Sequence, residues 1–292
     1  MPSTHHFSNI LITAIAPAVW GSTYIVTTEL LPPGYPLTAA LLRALPAGLL
    51  LLAFSRQLPK GHWWWKMFVL GALNIAVFWW LLFIAAYRLP GGIAAIVGAI
   101  QPLIVVFISY FFLGSPIRLL SIFAAILGIF GVTLLLLTPA AGFDPVGIIA
   151  GLGGALSMAC GVVLTRKWQP EVSLLTSTSW QLAAGGILLL PVALIWEPSL
   201  PELTNANIIG FVYLGLISAA LTYSIWLRGI ARLTPNIVSP LGFLSPTTAV
   251  LLGWLILGQQ LQPLQLFGFL MVFISIVLAT TQKSEPPVPA IK

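Results

Sequence analysis

The chain has 292 residues, of which 59% are hydrophobic and 6% are charged. A soluble domain carries about 25% charged residues, so this composition excludes a water-soluble globular protein and indicates a polytopic membrane protein. The net charge of +6 does not indicate nucleic-acid binding here, because loop lysines and arginines orient membrane proteins. The single cysteine, Cys160, excludes an intrachain disulfide and a cysteine-ligated metal cluster.

Ten apolar segments of about 20 residues follow one another, separated by short loops. In lipid every backbone polar group must be satisfied internally, and the absence of strand-like alternation favours helices over a barrel. The predicted architecture is therefore an all-α integral membrane protein, with residues 282–292 as a disordered tail. The predicted spans are 9–28, 37–54, 67–87, 91–113, 119–137, 145–165, 174–196, 206–228, 234–257 and 263–281.

The first two spans carry the first candidate functional residues. Trp20 and Tyr24 are four apart, so they share a helix face. Substrate contact and simple interhelical hydrogen bonding are both compatible with this pattern. Arg43 lies about 9 Å along the second span, near its outer end, with Glu29 as its natural partner. A structural ion pair or gate is favoured over a substrate ligand, because a long side chain near a helix end can reach the interface.

Polar residues and breaks in the third, fourth and ninth spans predict a cavity. Asn74 and Phe78 share one face of the third span, and an amide facing lipid would be costly. Proline removes a backbone donor and exposes carbonyls. Such a kink can line a cavity or merely improve packing, and the paired breaks favour the cavity. The residues at these breaks are Gln101 and Pro102, then Ser245 and Pro246.

The fourth and ninth spans are also copies of one another. The segment from Arg88 to Gly114 recurs 144 positions later, from Arg232 to Gly258, with Arg, Leu, Ile, Gly, Pro, Val, Leu and Gly in register. Matched Gly/Pro-interrupted segments in two halves are the best sequence pointer to a transporter binding site. The segments beginning at Arg43 and Gln181 match too, so the repeat is five helices long. Because five is odd, the second copy is predicted to be inverted.

Charge supports this topology. With the N-terminus in the cytoplasm, the outer loops hold only Arg88. The inner loops and tail hold ten basic residues: Arg56, Lys60, Lys66, Arg118, Arg166, Lys167, Arg228, Arg232, Lys283 and Lys292. The positive-inside rule therefore predicts a multi-pass protein of the cell inner membrane with both termini cytoplasmic.

This pattern resembles the EamA-type drug/metabolite transporter superfamily across residues 9–281. The resemblance rests on Trp20-Gly21-Ser22, Arg43, and the proline-containing fourth span ending in Leu113-Gly114, and is nearest to the PecM-like branch, linked to efflux of a blue pigment. It implies EamA-type repeats over 1–138 and 139–281, and export as the direction of transport. The family commonly ends this segment with Leu-Gly-Glu, whereas Ser115 and Gln259 replace that glutamate here, so its role does not carry over.

The sequence thus predicts a secondary transporter, not an enzyme, that exports a small metabolite or drug by alternating access without a cofactor or metal. Apart from Glu29 and Arg43, the spans hold no ionisable Asp, Glu, His, Lys or Arg in their interior. A neutral or zwitterionic, partly aromatic substrate is expected, moved down its own gradient. The alternatives are a membrane-embedded lipid-modifying enzyme and a non-transporting scaffold. The expected partners are that substrate and the bilayer, and a homodimer is allowed. The predicted binding residues are Trp20, Tyr24, Asn74, Phe78, Gln101, Pro102, Tyr223, Ser245 and Pro246.

Overall fold

The computed structural model describes residues 4–89, 97–136, 144–258, 260 and 262–281. None of these residues lies in a β-strand, and nine helices among them are long and apolar enough to cross a membrane. The all-α membrane architecture predicted from the sequence is confirmed. The predicted tail (282–292) lies outside the described residues.

The helices follow the predicted order. They are α1 (Thr4–Leu30), α2 (Pro36–Ser55), α3 (63–88), α4 (Gln101–Leu113), α5 (Leu119–Leu136), α6 (Pro145–Lys167), α7 (Leu174–Trp196), α8 (Asn205–Arg232), α9 (Pro235–Leu257) and α10 (Pro263–Thr280). Helix α4 is described only as a short apolar helix, because the first part of the predicted span 91–113 falls outside the described residues. Helix α8 extends to Arg232 rather than ending at 228, so Arg228 and Arg232 lie on the helix and not in a loop.

The predicted breaks are present in both halves. Residues 99 and 100 form a turn immediately before α4, and Gly242 and Phe243 interrupt α9 at the corresponding point. Both broken helices then end at a glycine in the left-handed conformation, Gly114 at φ 67° and Gly258 at φ 66°. Glycine adopts this conformation without steric cost, so these helix ends form without the family's glutamate.

A second pair of matched irregularities was not predicted. Helix α3 contains a π-helical segment, Ala72–Ala76, and α8 contains another, Leu216–Leu221. Their first residues are 144 positions apart, the same interval that separates the broken helices. π-Bulges are rare and concentrate at functional sites, so the matched pair directs attention to the middle of α3 and α8.

Helix packing also follows the symmetry of the repeat. Helix α2 packs on its counterpart α7, and α5 packs on its counterpart α10, while α1 packs on α9 and α6 on α4. When each helix is replaced by its counterpart in the other half, the α1–α9 pair becomes the α6–α4 pair and the other two pairs map onto themselves. A two-fold relation between the halves requires this. Large apolar side chains cover the outside of the bundle, among them Phe111, Leu119 and Ile195, which are 77%, 84% and 78% exposed. Lipid is the solvent that such a surface suits.

Close contact between α2 and α7 depends on reciprocal glycines. A Cβ at Gly48 would clash with the backbone nitrogen of Ala183, and one at Gly186 would lie 2.6 Å from Cβ of Leu45. In the alignment of the two halves Gly48 corresponds to Gly186 and Leu45 to Ala183. The two contacts are therefore equivalent when the halves are exchanged. Small residues at both positions permit the close approach of α2 and α7.

Candidate functional site: two polar junctions and an aromatic cluster

Arg43 forms the first of two polar junctions in the bundle. Its Nη2 donates hydrogen bonds to the carbonyl oxygen of Ser218 at 2.9 Å and to Oγ of Ser218 at 2.8 Å. Its guanidinium lies 4.7 Å from the ring centroid of Trp79, within range for a cation–π interaction. The hydroxyl of Thr23 lies 3.2 Å from Oγ of Ser218. We call Arg43, Ser218 and Thr23 the arginine junction.

The predicted partnership of Arg43 with Glu29 is wrong for this conformation. Glu29 is exposed, and its carboxylate accepts a hydrogen bond from the neighbouring Thr28. Arg43 points instead to the π-helical segment of α8, where Ser218 lies. A sequence-based partner search looks for an opposite charge, whereas a backbone carbonyl and a hydroxyl are what the folded chain provides.

Asn74 forms the second junction. Its Nδ2 donates to Oγ1 of Thr165 at 3.0 Å and to Oε1 of Gln181 at 2.9 Å, joining α3 to α6 and α7. Asn74 and Gln181 are 3% and 1% exposed. We call Asn74, Gln181 and Thr165 the amide junction. Asn74 thus faces the protein interior, as predicted, although in this conformation its amide nitrogen is bonded to protein.

An aromatic cluster lies beside the arginine junction. The ring of Trp20 is 5.1 Å from that of Tyr223 and 5.1 Å from that of Trp226, while Trp79 meets Tyr223 edge to face at 5.9 Å. Nε1 of Trp20 donates to Oγ1 of Thr222 at 2.7 Å, which fixes the indole. We call Trp20, Trp79, Tyr223 and Trp226 the aromatic cluster. Such rings supply large, oriented apolar surfaces for a ligand.

The structure unites only part of the predicted site. Trp20 and Tyr223 lie in one cluster. Phe78 packs against the same two groups of buried apolar residues as Trp20 does. Gln101 starts α4, where its Nε2 is buried and makes no hydrogen bond. The side chain of Tyr24 lies outside the described part of the chain.

The prolines and Ser245 lie at the helix breaks. Pro102 is buried, whereas Ser245 and Pro246 are half-buried. Gly21 of α1 packs on this break, since a Cβ there would lie 2.6 Å from the carbonyl oxygen of Ser245. Ser245 therefore lies at a contact between the halves. The substrate role predicted for Pro102, Ser245 and Pro246 stays a prediction.

Ser218, Gln181 and Thr165 are not among the predicted binding residues. Ser218 and Gln181 nevertheless each form one side of a junction. The repeat could have identified them, because Ser218 lies 144 positions after Asn74 and Gln181 aligns with Arg43.

A cavity of about 180 Å³ adjoins the amide junction. It lies between α3, α6, α7 and α8, at the end where the α6–α7 loop runs. Gln181 and Thr165 line it together with Trp168 and Ser177. The charge pattern predicts that this end faces the cytoplasm.

Apolar membrane helices with breaks at matching points in two halves are typical of membrane transport proteins. A family comparison agrees, since residues 7–137 and 145–281 each match the EamA-like transporter family. The chain belongs to that family.

The chain is also similar to individual proteins, one of which carries a transporter name. The chain is 47% identical over 266 residues to Protein PecM of Dickeya dadantii, covering 90% of this chain and 89% of the relative. It is 29% identical over 272 residues to the uncharacterized inner membrane transporter YedA of Escherichia coli strain K12, covering 91% and 88%. A protein of known crystal structure superimposes with a TM-score of 0.80 at 20% identity, covering 94% of this chain and 97% of the other. That likeness shows the fold alone.

Proposed function

We propose that this protein exports a small, partly aromatic, neutral or zwitterionic metabolite or drug by alternating access. The observation that carries the proposal is the chemistry of the buried polar groups. Among the described residues, the buried polar side chains are serine, threonine, asparagine and glutamine, with no acid among them. A multiply charged substrate needs countercharges, since even a lenient scale sets an unpaired central charge at about 2.5–3.5 kcal/mol.

Arg43 and the aromatic cluster favour a zwitterion or a neutral aromatic compound. A guanidinium binds a carboxylate in a bidentate manner, and the neighbouring rings of Trp79 and Tyr223 would contact an aromatic body. The same arginine disfavours a purely cationic compound. Such a substrate is gripped by ring contacts and oriented by a few hydrogen bonds, the usual design of small-molecule sites.

The two junctions supply a physical basis for alternating access. Arg43 lies seven residues from the start of α2, and Gln181 lies seven residues from the start of α7, which is about 10 Å along each helix. If the halves are inverted, the junctions lie at similar depths from opposite faces. Opening one junction while the other stays closed would expose the centre to each side in turn.

Orientation follows from the charge count. Both termini are proposed to be cytoplasmic, which places the amide junction on the cytoplasmic side. A periplasm-active reporter enzyme fused after Lys292 should be inactive, and high activity would overturn the orientation. A homodimer stays a prediction.

Metabolite profiling of the culture medium tests the function. Cells that overexpress the protein should release an aromatic, neutral or zwitterionic compound that cells lacking it retain. The same metabolites in the media of both strains, or release of a multiply charged compound, would contradict the proposal.

A further inference from the structure

We infer that the cavity beside the amide junction is a binding site for an uncharged molecule of about one aromatic ring that carries a hydrogen-bond acceptor. Its walls come from α3, α6, α7 and α8 and from the α6–α7 loop. That this molecule is the transported compound at its first contact with the carrier rests on the proposed function. The binding site itself does not.

Gln181 provides the first evidence, because the nitrogen of its side-chain amide has no hydrogen-bond partner. Its Oε1 accepts a hydrogen bond from Asn74, which leaves Nε2 buried and without a hydrogen bond. The residue is 1% exposed and lines the cavity. A buried N–H without an acceptor is costly, and a ligand oxygen or nitrogen would recover that cost. Oδ1 of Asn74 in the same junction is likewise buried without a hydrogen bond, and Nε2 of Gln181 is the donor that would pair with an acceptor on the ligand.

Two hydroxyls reinforce this polarity. Oγ1 of Thr165 accepts from Asn74, so its own proton can be donated, and Ser177 lines the same cavity. None of the described residues that line the cavity is a lysine, arginine, aspartate or glutamate, and the guanidinium of nearby Arg166 is bonded to the carbonyl oxygen of Ala231. A site that presents donors and no charge is suited to a carbonyl, ring nitrogen or ether, and not to an ion.

Size and lining set the rest of the ligand. An engineered apolar cavity of about 150 Å³ in another protein binds benzene, and this cavity measures about 180 Å³. Leu70 and Leu227 supply apolar walls, and Trp168 offers an aromatic one. One ring with one polar substituent fits these dimensions, whereas a two-ring compound with further substituents is too large.

Benzamide is a suitable probe, since it is uncharged and joins one ring to an amide oxygen. Its affinity for the purified protein in detergent would be measured by calorimetry, with toluene as the same ring lacking the acceptor. Gln181→Met removes the donor at similar length, and Ser177→Leu narrows the cavity without touching the Asn74–Gln181 bond. Thr178→Val is the matched control, because that hydroxyl bonds the carbonyl of Leu174 within its own helix.

We expect benzamide to bind the native protein at least about tenfold more tightly than toluene, as one hydrogen bond of roughly 1.4 kcal/mol implies. Each test variant should weaken benzamide by about the same factor, and Thr178→Val should stay within about twofold. Thermal unfolding identifies any variant that fails to fold, and Ser177→Leu decides alone if Gln181→Met does not fold. Absence of benzamide binding, or equal affinity in the native protein and a folded test variant, would overturn the inference.

The binding site and the proposed export function can be refuted by different results. Benzamide binding that depends on Gln181 would stand even if profiling of the medium found no exported aromatic compound, which would refute only the proposed function. Export of such a compound by a protein that does not bind benzamide would refute only this site.

Discussion

Asn74 and Ser218 occupy equivalent positions, 144 residues apart, in the π-helical segments of α3 and α8. Each bonds two polar side chains from the other half of the chain: Asn74 bonds Gln181 and Thr165, and Ser218 bonds Arg43 and Thr23. Gln181 and Arg43 are themselves equivalent in the alignment of the halves. The geometry is thus repeated while the chemistry differs, since one junction is neutral and the other carries a positive charge.

That difference makes Arg43 the first residue to test. Replacing Arg43 with Gln would give both junctions the same amide chemistry, and the bidentate cation would be lost. We expect export of the compound found by medium profiling to fall by roughly tenfold or more, as loss of a charge-assisted hydrogen bond of about 1.5–3 kcal/mol implies. Export rates normalised to folded protein in the membrane measure the effect.

Arg56→Gln is the control, because Arg56 is exposed just beyond the end of α2 and should tolerate the change. If Arg43→Gln exports normally, the cation has no part in binding or closure. If folded protein is lost in proportion to export, its role is structural only.

Gln101 tests whether the break before α4 faces the substrate path. Its Nε2 is buried without a hydrogen bond, so a leucine of similar size should fold at least as well. Export by Gln101→Leu should nevertheless fall, while the amount of folded protein in the membrane stays unchanged. Undiminished export would assign Gln101 to packing.

The α2–α7 contact makes a prediction about stability. A methyl group at Gly48 would collide with the backbone of α7, whereas one at Gly215 would find its nearest neighbour, the carbonyl oxygen of Leu42, at 3.7 Å. Gly48→Ala should therefore lower stability by about 1–3 kcal/mol, the usual cost of overpacking. Gly215→Ala should be close to neutral. Thermal unfolding in detergent measures both. Equal unfolding temperatures would show that the α2–α7 interface accommodates the extra methyl group without loss of stability.

Much of this architecture follows from the sequence because membrane helices obey strong rules. Length, apolar composition and glycine or proline predict helices and their breaks, and the breaks before Gln101 and at Gly242 are confirmed. Charge pattern does not predict the partner of Arg43, because bonds to a carbonyl and a hydroxyl involve no opposite charge; only the equivalence of Ser218 with Asn74 in the repeat points to it. The π-helical segments were missed for a similar reason. One extra residue per turn changes hydrogen bonding without changing composition.

Asp144 at the start of α6 makes a prediction about pH. It caps the helix by accepting hydrogen bonds from the N–H groups of Val146 and Gly147, and it pairs with Arg88 at 3.1 Å. Desolvation alone would raise the pKa of this carboxyl, but the hydrogen bonds from Val146, Arg88 and Gly147 outweigh it and lower the pKa below the ordinary value of an aspartate.

A lowered pKa in the folded state means that the ionised cap stabilises the protein above the unfolded value and loses that effect as pH falls through the folded value. Asp144→Ala should therefore unfold at a lower temperature than Asp144→Asn, which can still cap. The gap between the native protein and Asp144→Asn should close as pH falls through the lowered pKa of Asp144 in the folded protein. A gap that widens on acidification would reverse the assigned sign.

Uptake into everted membrane vesicles tests the central claim most directly. Vesicles with and without the protein would be incubated with a small-molecule cell extract, and their contents analysed by mass spectrometry before and after collapse of the pH gradient. We predict protein-dependent entry of an aromatic, neutral or zwitterionic compound, at a rate that survives collapse of the gradient. Entry of a multiply charged compound instead, or entry that disappears both with the gradient and on replacing Glu29 with Gln, would contradict the account.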